Sequence, residues 1–230
     1  MQELTPHRLW HAPPRLSSPA REVPRWQHSV KRFSDVVMAS FLCFALFPLF
    51  LLIALAIRIE SPGPVFFRQL RRGRGGRHFA ILKFRSMRVD ADGERNDHWE
   101  LNELEEPLFK IRIDPRTTSV GRILRRSSLD ELPQLLNVLQ GEMSLVGPRP
   151  LPIYDVEQFL HASKSSQWIE ERETVKPGLT GLWQVLGRCE YDHRGMPDQD
   201  RHYVRNWSLL LDLQILLRTI PVVLLGRGSC

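Results

Sequence analysis

Between Asp35 and Arg58 the chain runs for 22 residues, Val36 to Ile57, without a single charge (VVMASFLCFALFPLFLLIALAI). An amphipathic helix keeps one polar face for water, and this segment has none. It therefore fits a buried helix of a water-soluble fold poorly. A bilayer crossing needs ~20 apolar residues, so its length permits one. Two features complicate a straight crossing. Pro48 lies near the middle, where a missing backbone donor and a clash with the preceding turn kink a helix. The flanks are basic on both sides, Lys31 and Arg32 before, then Arg58, Arg68, Arg71 and Arg72 after. Positive flanks favour the cytoplasmic side, which here claims both ends. A helix that enters, bends at Pro48 and returns satisfies both flanks. A kinked span satisfies the length, because prolines occur in such helices. On residue physics alone both stay open.

The rest of the 230 residues suit one catalytic-sized domain with appendages. Residues 1–30 hold five prolines and no apolar periodicity, which reads as a flexible tail. No apolar core follows a basic start there, so it is not a signal peptide. Lys and Arg number 32 against 26 acidic residues, a net charge of +6 that predicts anionic partners. Cys43, Cys189 and Cys230 lie far apart and form neither a disulfide framework nor a zinc site, consistent with a reducing compartment. PVFFRQ (64–69) and HFAILKF (78–84) read as strands joined by the glycine-rich RRGRGGR turn, whose arginines 71, 72, 74 and 77 suit lipid head groups. Residues 88–113 read as a loop with a short helix around 99–106. Helical spacing marks 129–139 and 154–174. The apolar stretch 207–225, interrupted by Asp212, Gln214 and Arg218 and broken at Pro221, reads as an interfacial helix. The predicted class is α+β, mainly helical with a small β-hairpin. Its three parts are a tail (1–30), a membrane helix (31–60) and a catalytic domain (61–230).

Chemistry concentrates in Asp114–Pro150, DPRTTSVGRILRRSSLDELPQLLNVLQGEMSLVGPRP. Adjacent Asp130 and Glu131 stand between Arg122, Arg125 and Arg126 and the turn Gly147-Pro148-Arg149-Pro150. Carboxylates beside fixed positive charge are expected to stay ionised. Ser128 with Glu131 also matches a capping box, which would give the pair a purely structural role. The two readings are compatible, since a helix N-terminus favours acidic groups and binds phosphate. Lys83 and Arg85 alternate at a strand end and would face one side. Arg149, and the Lys176-Pro177-Gly178 and Gly187-Arg188 turns, display cations suited to phosphate. No nucleophile elbow or histidine metal motif is present.

The order of these pieces resembles the bacterial sugar transferases of the monotopic phosphoglycosyl transferase family, the polyisoprenyl-phosphate hexose-1-phosphate transferases. The resemblance covers about Lys31 to Gly226. It is carried by KRFSD at 31, the helix with Pro48, SPGPVFFRQ at 61, ILKFRSM at 81, the Asp114–Pro150 stretch, VKPGLTGLWQVLGR at 175 and YVRNWSLLLDLQILLRT at 203. It implies transfer of hexose 1-phosphate from a UDP-sugar to undecaprenyl phosphate with release of UMP, an early membrane step of exopolysaccharide or capsule assembly. Asp130 would be the nucleophile that forms a covalent phosphosugar intermediate, and Glu131 would hold Mg2+. Arg125, Arg149 and Arg188, with Lys83 and Lys176, would contact phosphate. It also implies a re-entrant helix broken at Pro48, with the catalytic domain on the cytoplasmic face of the bacterial inner membrane. Phe47 before Pro48, where some relatives have serine, and His202, where tyrosine is commoner, depart from the pattern.

Two other readings compete. A non-catalytic basic membrane-binding module would fit the charge but leaves Asp130 without use. A UDP-sugar glycosyltransferase would release UDP instead of UMP. No nucleic-acid partner is expected, because the aromatics gather near the membrane segments instead of interleaving with basic residues. The sugar and the oligomeric state, a homo-oligomer included, stay open.

Overall fold

The computed structural model describes residues 24–89, 91, 93–94, 100–102, 111, 114–161, 166–187 and 195–224. The uncharged segment is divided between two helices, α1 (Arg25–Ala45) and α2 (Phe47–Glu60), bent by 60° at Leu46. The expected bend is present, in the residues just before Pro48. Pro48 itself sits in the first turn of α2, where a proline's missing N–H has no intrahelical partner to lose. Helix α1 begins at Arg25, inside the stretch expected as tail. Neither helix alone is long and apolar enough to cross a bilayer; the bent pair passes by length and composition.

Both ends of this pair are fastened to the same domain. Near the start, Lys31 bonds Asp212 (2.6 Å) and the Val146 carbonyl (3.0 Å). Arg32 donates to the carbonyls of Val138 and Leu139, and Asp35 accepts from the Leu145 amide. At the far end, Glu60 accepts from the Ser119 and Val120 amides, and Arg85 donates to the carbonyls of Ser61 and Pro62. Between these fastenings Phe41, Phe44, Phe47, Leu51, Leu52, Leu55 and Ile59 stay exposed, while Ile53 and Ile57 pack on Phe84 and Leu124.

Strands β1 (Phe66–Arg72) and β2 (His78–Phe84) form the expected antiparallel hairpin, with Phe67 opposite Lys83 and Arg71 opposite Phe79. Its turn needs glycine, because Gly75 and Gly76 have φ of +64° and +72°. Arg71 and Arg72 are not offered to head groups. Arg72 pairs with Glu173 (2.8 Å), and Arg71 donates to the Pro150 carbonyl and Gln69.

Helix α3 (Ser119–Arg126) leads into a 3-10 turn, Leu129–Glu131, and then α4 (Gln134–Gln140). The helix expected over 129–139 is thus interrupted at Pro133. A parallel pair that periodicity missed, β3 (Ser144–Val146) and β4 (Gly178–Thr180), links the two proline turns. Three-residue strands are too short to show alternation. Here the backbones approach so closely that a Cβ on Gly147 would stand 2.4 Å from the Lys176 carbonyl oxygen. The helix expected over 154–174 is two, α5 (Ile153–His161) and α6 (Ser166–Arg172), followed by α7 (Leu182–Gly187) and α8 (Gly195–Arg205). Helix α9 (Leu209–Leu224) runs through Pro221 instead of breaking there, since one lost bond in the last turn does not stop it. Its Leu211 and Ile215 enter the main core with Leu135, Val138, Met143 and Val146. Leu210, Leu213, Leu217 and Ile220 stay exposed.

Gly147→Ala is expected to lower stability by about 2 kcal/mol or more, because its new methyl meets backbone instead of a movable side chain. Thermal unfolding of the two proteins side by side checks this; an unchanged midpoint would refute the close approach.

Candidate active site

The dyad is aimed by an unusual turn. Ser128 has φ +56°, left-handed for a residue with a Cβ, and its side chain makes no capping bond. The capping box read from the sequence does not form. Such backbone costs of order 1–3 kcal/mol and gathers at functional sites. It turns the chain sharply between α3 and the 3-10 turn, so that Asp130 and Glu131 both enter the protein and are buried.

Their surroundings differ. Glu131 is clamped: its Oε1 accepts from Lys83 Nζ (2.9 Å) and Arg149 Nη2 (2.7 Å), and Oε2 lies 3.4 Å from Arg149 Nη1. Arg149 is held in turn by Arg172, which donates to its carbonyl and pairs with Asp200 (3.2 Å). Asp130 instead lines a cavity of about 490 Å³. Burial pushes its carboxyl above the ordinary carboxylate range; Lys83 opposes this, Glu131 adds to it, and Arg125 and Arg149 oppose it. Burial thus opposes, at Asp130, the neighbouring cations that favour its ionised form. Burial likewise lowers the Lys83 ammonium, against the pull of Glu131 and Asp130. The Glu131 carboxylate raises Arg149.

The cavity wall beside Asp130 is cationic. Lys83, Arg85, Arg88, Arg116 and Arg125 all reach it. Two of these are fully committed to protein: Arg85 to the loop after α2, and Arg116 to Asp114 (2.7 Å) and the Ala91 carbonyl. Arg125, from the last turn of α3, is exposed and donates to two hydroxyls among the described residues, Ser86 Oγ (3.1 Å) and Thr117 Oγ1 (3.3 Å). Neutral partners leave its charge available to a phosphate.

The structure thus brings Asp130, Glu131, Lys83, Arg125 and Arg149 together, with Arg149 on the Glu131 side. It does not bring Lys176 there. That ammonium lies near Gly141 and Arg32, and burial lowers it, with Arg32 adding. Arg188 and most of the 88–113 loop lie outside the described residues. Sequence reasoning missed Gln69, Arg71 and Asp155 in the cavity wall. The first two were legible in principle, since Phe67, Gln69 and Arg71 alternate along β1 on the face that carries Lys83. Asp155 depends on where α5 packs and had no local signal.

The sequence matches the family model described as bacterial sugar transferase over residues 26–226. The chain belongs to that family. Among its relatives, the exopolysaccharide production protein ExoY of Sinorhizobium fredii is 43% identical over 203 residues, 86% of this chain and 87% of the relative. A UDP-glucose:undecaprenyl-phosphate glucose-1-phosphate transferase of Caulobacter vibrioides is 46% identical over 202 residues, 84% of this chain and 69% of the relative. A UDP-galactose-lipid carrier transferase of Erwinia amylovora is 40% identical over 205 residues, 87% and 41%. This sugar transferase is accordingly an enzyme of the sugar-phosphate transferase type.

No group of three or more metal-ligating side chains occurs among the described residues. Asp130 faces the cavity while Glu131 has its oxygens on Lys83 and Arg149, so Mg2+, which keeps several waters and takes further ligands from substrate phosphates, would share Glu131 with those cations. The two acids do not suit a metal that needs a full protein cage.

Asp130→Asn is expected to raise the unfolding temperature at pH 7 in chelator while abolishing activity. A carboxyl raised on folding binds its proton more tightly in the native state, so wild-type stability falls as pH rises through the native pKa. Below the ordinary carboxylate range the Asp is protonated in both states, and the two proteins should converge. A stability difference that does not shrink with acidification would contradict the desolvated site.

Proposed function

We propose that the enzyme transfers hexose 1-phosphate from a UDP-hexose to undecaprenyl phosphate and releases UMP. The observation that carries this is the division of the dyad: Asp130 opens onto the cationic cavity while Glu131 is locked by Lys83 and Arg149. In the first step an Asp130 carboxylate oxygen attacks the sugar-bearing β-phosphorus. The bond to the bridging oxygen breaks and its electron pair leaves with UMP. In the second, a phosphate oxygen of undecaprenyl phosphate attacks the same phosphorus, forming the lipid diphosphate sugar and restoring the Asp130 carboxylate. Asp130 attacks in its ionised form, which Lys83, Arg125 and Arg149 favour against its burial, and the acceptor phosphate is itself an anion, so neither attack needs a separate base. Arg125 and Lys83 stabilise charge on the transferring group from fixed positions. Glu131 would hold Mg2+, which when bound neutralises the diphosphate.

The lipid half of the reaction requires the site to reach a bilayer surface. We read α1 and α2 as a re-entrant pair, because Lys31 and Arg32 at one end and Glu60 at the other bond a single domain. Both ends are then on one side, the cytoplasmic face of the inner membrane. Exposed apolar residues of α9 would rest in the same interface.

Purified protein incubated with UDP-hexose and magnesium, with and without undecaprenyl phosphate, should release UMP. Asp130→Asn should lower that rate by ~10³-fold or more, and chelation of magnesium should suppress it. Intact-mass analysis without the lipid acceptor should show a phosphohexose adduct absent from the variant. UDP as the sole nucleotide product would favour simple glycosyl transfer. Wild-type rates in Asp130→Asn would eliminate the covalent mechanism.

A further inference from the structure

The cavity has two chemically different arms. One, formed by Arg85, Arg88, Arg116 and Arg125, is cationic. The other follows the inner face of β1. Phe67 stands directly opposite Lys83, so the β1 face begins at the dyad. Gln69 follows on that face about 7 Å along the strand, and Arg71 about 14 Å along. Helix α5 packs against this end of β1, and a bridge between Arg71 and Pro152 fixes its start. Asp155, in the first turn of α5 and buried, completes the wall there. Apart from Asp130 it is the one acidic residue among the described residues lining the cavity.

A carboxylate in that place is informative about what lies against it. Diphosphate oxygens are drawn to the four arginines of the other arm, while the cation at this end, Arg71, is bonded to Gln69 and the Pro150 carbonyl beside the Asp155 carboxylate. Sugar hydroxyls are suited to it, because a carboxylate has several lone-pair sites and accepts O–H donors in short, charge-assisted bonds beside any partner it already has. Gln69 adds an amide, held by Arg71 (2.6 Å), that can both donate and accept. Phe67, on the same face as Gln69, offers apolar surface to the carbon face of a ring. A few oriented polar groups in an apolar wall are how small-ligand sites obtain specificity. An in-line displacement at phosphorus also sends the leaving nucleotide and the attacking carboxylate to opposite sides, so the sugar needs a direction of its own.

We propose that Gln69 and Asp155 form the hexose subsite, gripping ring hydroxyls of the donor sugar at the end of the cavity away from the cationic arm. This rests on the UDP-hexose reading above and assigns its specificity-determining residues. The ligand class is a neutral hexopyranose. The charge segregation leaves the uridine monophosphate portion to the arginine arm.

The test uses the full chain in lipid nanodiscs, undecaprenyl phosphate, the UDP-hexose it turns over fastest, and the 2-, 3-, 4- and 6-deoxy forms of that donor. In the wild type at least one deoxy donor should lose roughly 10- to 100-fold in kcat/KM for UMP release, the range for one lost hydrogen bond to a charged group. Asp155→Asn should lose a similar factor with the parent donor, mainly through KM, and lose little more with that same deoxy donor. Gln69→Ala, at a half-buried strand position, should show the same pattern on a neighbouring hydroxyl and serves if Asp155→Asn does not fold. Inhibition by UMP should be unchanged in both variants. Deoxy discrimination that persists undiminished in both would overturn the subsite. So would UMP inhibition weakened as much as the donor KM, which would place the nucleotide there. A wild type that releases no UMP from any UDP-hexose would instead remove the functional reading, and this one with it.

Discussion

Lys31 bonding Asp212 joins the first described helix to the last. The ion pair is partly buried, and Asp212 also accepts from the Trp207 indole (3.0 Å) and the Tyr203 hydroxyl (2.8 Å). Lys31 meanwhile reaches the Val146 carbonyl at the end of β3, one residue before the Gly147 turn. A single ammonium therefore positions α1, α9 and the β3–β4 pair together. Removing one partner of such a group leaves an uncompensated charge, so this contact holds its neighbours to one arrangement. The apolar pair α1–α2 is fixed at its base by this bond and by Arg32 and Asp35 beside it. Its orientation relative to the site then follows.

From that base the active site assembles from distant stretches. Lys83 comes from the hairpin, Asp130 and Glu131 from the turn after α3, Arg149 from the turn after β3, and Asp155 from α5. Each is aimed by backbone features more than by side-chain packing: the left-handed Ser128, the glycine contact between the two proline turns, the bridge at Arg71. The division of labour in the dyad is a product of this framing. Two adjacent acids with the same chemistry differ because one is surrounded by donors and the other faces a cavity.

Much of this was legible in the residues. The hairpin showed as two alternating runs about glycines, and the family resemblance rested on motifs read in their order along the chain. Lys31 and Arg32 were read as topology signals, yet their charges are spent on protein carbonyls and a carboxylate. Asp212 was read as an interruption of an apolar stretch and turns out to be the acceptor at its heart. Pro48 was read as a bend, and the bend is there, with the proline in the first turn of the helix that follows it. For Lys31, Arg32 and Asp212 the residue type was informative and its partner, far away in sequence, was not. The short parallel strands lacked enough residues to show a period, and Asp155 owes its place to packing between α5 and β1. Desolvation of Asp130 could not be weighed against nearby arginines before its burial was known.

Glu60 is the last residue of α2, and its carboxylate holds the first amides of α3. Eight residues later that helix ends, and the Ser128 turn delivers Asp130. The apolar helix pair and the Asp130 turn are thus joined through one short helix with Glu60 as its coupling, and a displacement of α2 is carried along α3 to Arg125 and Asp130 together.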